Sequence, residues 1–221
     1  MRKIIKVIAL AAFVVFCSAA IYGGIGYLDA VHDSKSLKAR ADLLISDDKG
    51  GSSLGPQKYA QILLVQDPQF ESHTGLDIST PGAGITTITQ SVAKRLGFEQ
   101  FKPGIGKIRQ SGYALGLERE LNKEQIMALW LDTLEMGRGP RGWMAGFHNA
   151  SQQVFAANPS ELSHEQFLTL VAVLIAPAQY RIGSNDAGLQ ERVRRITRLI
   201  SNECRPLSNG DVWLEGCHAS N

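Results

Sequence analysis

Gln66-Asp67-Pro68-Gln69-Phe70-Glu71-Ser72-His73-Thr74-Gly75-Leu76-Asp77 gathers acids, an aromatic ring, a histidine and a glycine at the end of a run with helical spacing, Tyr59, Ile62 and Leu63. Its first residue is a glutamine. A glutamine has nearly the shape of a glutamate, but a neutral carboxamide gives and takes hydrogen bonds and cannot take up a proton as a base.

Outward from this stretch the apolar spacing stays helical: Ala114, Leu117 and Leu121, then Ile126, Leu129 and Trp130, then Val193, Ile196, Leu199 and Ile200. Strand-like alternation is scarce, so the fold class read from the chain is all-α. Asn122-Lys123-Glu124-Gln125 and Ser163-His164-Glu165-Gln166 have the form of capping boxes and mark helix starts. The second opens into Phe167-Leu168-Thr169-Leu170-Val171-Ala172-Val173-Leu174-Ile175, halted by Pro177, and predicts the buried centre of the domain.

The 221 residues suffice for one membrane segment and one compact domain. With 23 basic and 21 acidic residues spread along the chain, nothing resembles the basic stripe of a nucleic-acid binder, and nucleic acid is excluded as an expected partner. From Val7 to Leu28 no residue carries a formal charge, a length that spans a bilayer. Arg2, Lys3 and Lys6 precede this run, so the charge bias puts the N-terminus in the cytoplasm and the rest outside. A cleaved signal peptide ending near Cys17-Ser18-Ala19-Ala20 is the alternative. The organisation read from the chain is a signal-anchor segment over 1–28, a polar linker over 29–56, a folded domain over 57–200 and an irregular tail over 201–221. Export would place Cys204 and Cys217 in an oxidising compartment, where they can close a short loop as a disulfide; two free thiols are the alternative.

The order of motifs completes the reading. After Gln66-Asp67 with Phe70, His73 and Gly75 come Thr86-Thr87-Ile88-Thr89-Gln90-Ser91-Val92-Ala93-Lys94, then Lys107, Gln110, Ala114 and Glu118, then Lys123 to Asp132, then Gly146-Phe147-His148-Asn149-Ala150-Ser151-Gln152-Gln153-Val154-Phe155. The series resembles the peptidoglycan glycosyltransferase family (glycosyltransferase family 51), the polymerase domain of bifunctional penicillin-binding proteins and of monofunctional transglycosylases. The resemblance implies a lysozyme-like helical domain on the outer face of the bacterial cytoplasmic membrane. There the family polymerises lipid II, one glutamate taking the acceptor's proton and a second helping to hold the lipid diphosphate with lysines and sometimes a divalent cation.

Carried over by position, Gln66 falls on the first glutamate and Gln110 on the second, with Asp67 as the acidic neighbour of the first. His73, Thr87, Thr89, Gln90, Lys94 and Lys107 match the family's substrate-binding positions. Departures from the family pattern include Ser91 for a glutamine, Ile85 in a glycine pair, Ala128 for an acid, Asp132 for an asparagine and Ala145 for an arginine. The stretch from Gly75 to Gly84 is shorter than in the family, where that region is mobile. The implied protein is a silent relative that binds lipid II, nascent glycan or an active cell-wall polymerase, with no cofactor. Alternatives are an active transferase using Asp67, a lysozyme-like glycosidase needing two carboxylates, and a structural adaptor. Arg192, Arg194, Arg195 and Arg198 read as the solvated basic face of a helix, with contact to anionic lipid headgroups as the alternative.

Overall fold

The computed structural model describes residues 2–218 and is helical throughout most of its length. Helix α1 (Arg2–Ser46) is followed by α2 (Pro56–Gln66), α3 (Ile88–Leu96), α4 (Gly106–Glu120) and α5 (Lys123–Thr133). A two-stranded antiparallel hairpin, β1 (Glu135–Gly139) and β2 (Gly142–Ala145), leads to α6 (Phe147–Phe155), α7 (His164–Val173) and α8 (Ala187–Ile200). The hairpin has no counterpart in the sequence reading, because β1 and β2 are short and rich in glycine and lack a clean alternation.

Local signals explain where the helices begin. Pro56 stands in the first turn of α2, where its missing N–H costs nothing. Asn122 and Ser163 each accept from the N3 backbone N–H while the N3 glutamine reaches back, so both expected capping boxes form, and Thr87 with Gln90 forms a third at α3. In α7, Phe167, Leu168 and Leu170 to Val173 are buried, as expected of the central helix.

The expected linker is not a linker. Helix α1 runs unbroken from the apolar segment through residue 46, a rod about 67 Å long at 1.5 Å per residue. Gly26, Ala30, Ser34, Leu37, Ala41 and Leu44 are buried along one side at helical spacing. Their small size is the reason the composition looked like a spacer, and it is also what permits close packing. A Cβ on Gly26 would lie 2.1 Å from the Arg109 carbonyl oxygen, and one on Gly112 would lie 1.9 Å from that of Gly23. Polar pairs fix the crossing. Arg109 donates to Asp29 at 2.6 Å, the Tyr113 hydroxyl to Asp33 at 2.8 Å and the Gln125 amide to Asp42 at 2.8 Å. The long N-terminal helix is thus packed into the domain, and the chain turns only after Ser46.

The core lies between α3, α4 and α5 and continues to α6, α7 and α8, with Tyr113, Phe70, Phe147 and Phe167 among its fully buried side chains. The tail after α8 folds back. Cys204 and Cys217 are disulfide-bonded, and the intervening segment pairs with the glycine-rich loop before α3. Gly82 N–H donates to the Ser208 carbonyl and Gly84 N–H to that of Asn209, each at 2.9 Å, while the Asn209 amide donates back to the carbonyls of Thr80 and Gly84.

Candidate functional site

Gln66 is the last residue of α2, and it borders a cavity of about 450 Å³ whose other walls come from the Gly82–Thr86 loop, α3, α8 and the tail. Next to it the chain leaves the helix. Asp67 is 1% exposed and has extended φ. Its carboxylate accepts from the Ile88 backbone N–H at 2.8 Å and lies 2.9 Å from His73 Nε2. His73 Nδ1 accepts from the Gly75 N–H, so Nε2 carries the proton and donates to Asp67. Asp67 therefore joins the first motif to the start of α3. Glu71 is exposed, and its carboxylate accepts from the Tyr59 hydroxyl.

Most of the second and third motifs are turned inward. Thr87, Thr89, Gln90 and Gln110 are all buried. Thr87 Oγ1 donates to the Gly75 carbonyl at 2.7 Å, and Thr89 Oγ1 donates to Glu118. Glu118 also accepts from Lys123 at 2.8 Å, and Lys123 reaches the His73 carbonyl at 2.7 Å. The Gln90 amide donates to the Ser111 hydroxyl at 3.0 Å. Gln110 is 0% exposed, donates from Nε2 to the Gln90 carbonyl at 2.7 Å, and does not line the cavity that Gln66 borders. These residues form a hydrogen-bonded frame that holds α3 and α4 together.

The accessible members of the expected set are Gln66, Lys94 and Lys107. Lys94 is exposed, its ammonium 5.5 Å from the centre of the Phe101 ring. Lys107 donates to Thr86 Oγ1 at 2.7 Å, and burial together with the charge of Lys94 lowers its pKa. Lys94 of α3 and Lys107 of α4 are thus two interacting cations with no acid pairing either of them among the described residues.

Sequence reasoning missed Arg95 and Arg192. Arg192 is not on a solvated face: it is 4% exposed and, with Arg95, lines the same cavity as Gln66. Burial lowers both guanidinium pKa values to about 10. The other arginines of that helix are paired, Arg194 with Glu191 and Arg195 with Glu191 and Glu215, while Arg198 donates to the Cys217 carbonyl. Arg192 follows Leu189 by three residues and precedes Ile196 by four, which sets it on the buried side of α8; that spacing is the signal that was available.

A divalent cation does not fit this groove. Among the described residues no three His, Cys, Asp or Glu side chains come together as ligands, and the charged groups lining the Gln66 cavity are cations.

The comparisons agree with this frame. A family model described as Transglycosylase matches residues 51–201. The "Biosynthetic peptidoglycan transglycosylase" of Citrobacter koseri is 26% identical over 166 residues, covering 69% of this chain and 67% of that protein. Proteins of the same description from Escherichia coli O81 and Shigella boydii serotype 4 are each 25% identical over the same share. The chain belongs to the transglycosylase family, glycosyltransferase family 51, with a lysozyme-like helical domain. It carries an N-terminal helix long and apolar enough to cross a membrane.

Proposed function

We propose that this chain is a membrane-anchored transglycosylase relative that holds lipid-linked peptidoglycan precursor or nascent glycan without polymerising it. The observation that carries the reading is at Gln66: the groove residue at the first acid position is a carboxamide, and both neighbouring carboxylates are engaged. Asp67 is buried between His73 and the start of α3, and Glu71 is tied to Tyr59. General-base assistance is typically worth about 10²- to 10⁴-fold in rate, and among the described residues no carboxylate lines the Gln66 cavity to supply it. Gln110 is read as the counterpart of the second acid, and its amide is spent on the Gln90 carbonyl.

Binding draws on what the chain retains. Lys94 and Lys107 stand together on an accessible surface beside Thr86, a place for the diphosphate of a lipid-linked sugar. The charge bias of Lys3 and Lys6 supports an N-terminus in the cytoplasm and a domain on the outer face of the inner membrane. The rigid α1 strut sets the groove at a constant height above the bilayer, which suits a protein that presents substrate to an active polymerase.

The test is lipid II polymerisation by the full-length protein in detergent or nanodiscs, run beside a lipid II titration. The expected result is saturable binding without glycan product. Robust polymer from the unaltered chain would overturn the reading in favour of an enzyme using another base. Absence of binding would leave a structural adaptor.

A further inference from the structure

The cavity beside Gln66 is lined by two positive charges and, among the described residues, by no counterion. Nη1 of Arg95 and both Nε and Nη1 of Arg192 are buried without a hydrogen-bond partner, and neither arginine forms an ion pair among the described residues. Each nearby acid is already engaged. Glu135, on the Arg95 side, accepts from the Trp143 indole. Asp211, on the Arg192 side, accepts the backbone N–H groups of Leu207, Glu215 and Gly216. Glu215 pairs with Arg195. A buried guanidinium with no partner is among the more costly arrangements a fold can hold. Arg192 is such a group, and the half-buried Arg95 leaves one unpartnered nitrogen on the same cavity wall; together they point to a ligand that completes them.

The remaining lining fits a small oxyanion attached to a less polar body. Gln66, Ser91 and Thr86 add side-chain hydrogen-bonding groups, and Trp130, Leu134 and Ile175 add apolar wall. The roof is formed by Asn209, Gly210 and Val212. These belong to the disulfide-closed tail, which lies beyond the residues 51–201 that match the family. Lys94 and Lys107 are not part of the lining, although Lys107 donates to Thr86 Oγ1 at the cavity's edge.

We propose that Arg95 and Arg192 form an oxyanion-binding pocket, closed by the C-terminal tail, that takes a phosphoryl or carboxylate group. Fork-shaped guanidinium donors suit either group bidentately. The two sources differ in shape, a phosphate being tetrahedral and a sugar carboxylate planar with a ring behind it.

The experiment uses the full chain in detergent, with thermal unfolding followed against inorganic phosphate, pyrophosphate and N-acetylmuramic acid, and sodium chloride at matched ionic strength as control. A saturable rise in Tm on the order of 5 °C is expected with a phosphate or with the sugar acid, and none with chloride. Which arm responds identifies the source. Arg192→Met is expected to raise Tm in plain buffer, since it removes an unpaired buried charge, and to abolish the response. Gln66→Glu, which puts a carboxylate on the same wall, should do both as well. If Arg192→Met does not fold, Arg95→Met asks the same question. No oxyanion shift above chloride, or an unchanged response in these variants, overturns the pocket. Because the pocket excludes Lys94 and Lys107, its failure with lipid II binding intact would remove this inference alone and leave the proposed function standing.

Discussion

Gln110 donates its side-chain N–H to the backbone carbonyl of Gln90 at 2.7 Å, joining α4 to α3 in a place closed to solvent. A glutamate there would present a carboxylate to that carbonyl with no donor to offer. Gln110→Glu is therefore expected to destabilise the fold by about 2–4 kcal/mol near neutral pH, read as a lower urea midpoint. Its buried carboxyl would have a raised pKa, so the loss should be small below the usual carboxylate range and grow as pH rises through about 4.3. A neutral effect at pH 7 would show that position 110 opens to solvent.

Gly112 meets Gly23 where α4 crosses α1, with no room for a methyl group. Gly112→Ala should force the helices apart and cost about 1–3 kcal/mol by overpacking, despite alanine's better helix propensity. Faster proteolysis within residues 29–46 of the full-length protein, with the isolated helix propensity improved, is the signature to measure.

His148 sits half-buried with Nε2 3.1 Å from Ser53 Oγ, and burial, reinforced by Lys49, lowers its pKa to about 4. The folded value lies below the unfolded one, so the neutral form is favoured in the native state. Stability should be unaffected above about pH 6.5 and fall by up to about 2–3 kcal/mol as pH drops from there toward 4. His148→Gln should flatten that part of the stability-pH curve; an unchanged slope assigns the acid sensitivity elsewhere.

Lys94 and Lys107 are accessible cations outside the Gln66 cavity, and a lost charge-assisted contact to phosphate costs about 1.5–3 kcal/mol, roughly 10- to 100-fold in affinity. Lys94→Ala should weaken lipid II binding by about that factor while shifting unfolding by less than about 0.5 kcal/mol. Equal binding by wild type and variant would place the ligand on another surface.

The Cys204–Cys217 bond closes a tail whose Ser208 and Asn209 clasp the loop at Gly82 and Gly84. A crosslink separating residues 13 apart constrains the unfolded chain by about 3 kcal/mol. Cys204→Ser with Cys217→Ser should lower stability by about that amount and speed amide exchange in residues 80–86. Slow exchange retained in that loop would show that the hydrogen bonds suffice without the covalent closure.

How far the chain could be read in advance varies by element. The capping boxes at Asn122 and Ser163 and the apolar face of α7 were legible because each is settled by residues within one or two turns. Residues 29–46 were misread because their small and polar composition resembles a spacer, and only a partner helix reveals that Gly26, Ala30 and Ser34 are contact residues. Within the motifs, identity was legible but orientation was not. Thr87, Thr89, Gln90 and Gln110 read as groove residues and lie buried in the frame behind it.

By itself the sequence determined the helical class, the long apolar N-terminal segment, the family and an uncharged Gln66 at the head of the first motif, since all of these reside in local periodicity, composition and motif order. Tertiary structure alone decided that Asp67 and Glu71 are already committed, and that Arg95 and Arg192 share one cavity wall under the tail. The reason is physical. Whether a charge is solvated, paired or left waiting for a ligand depends on what distant segments bring to it, and no local pattern records that.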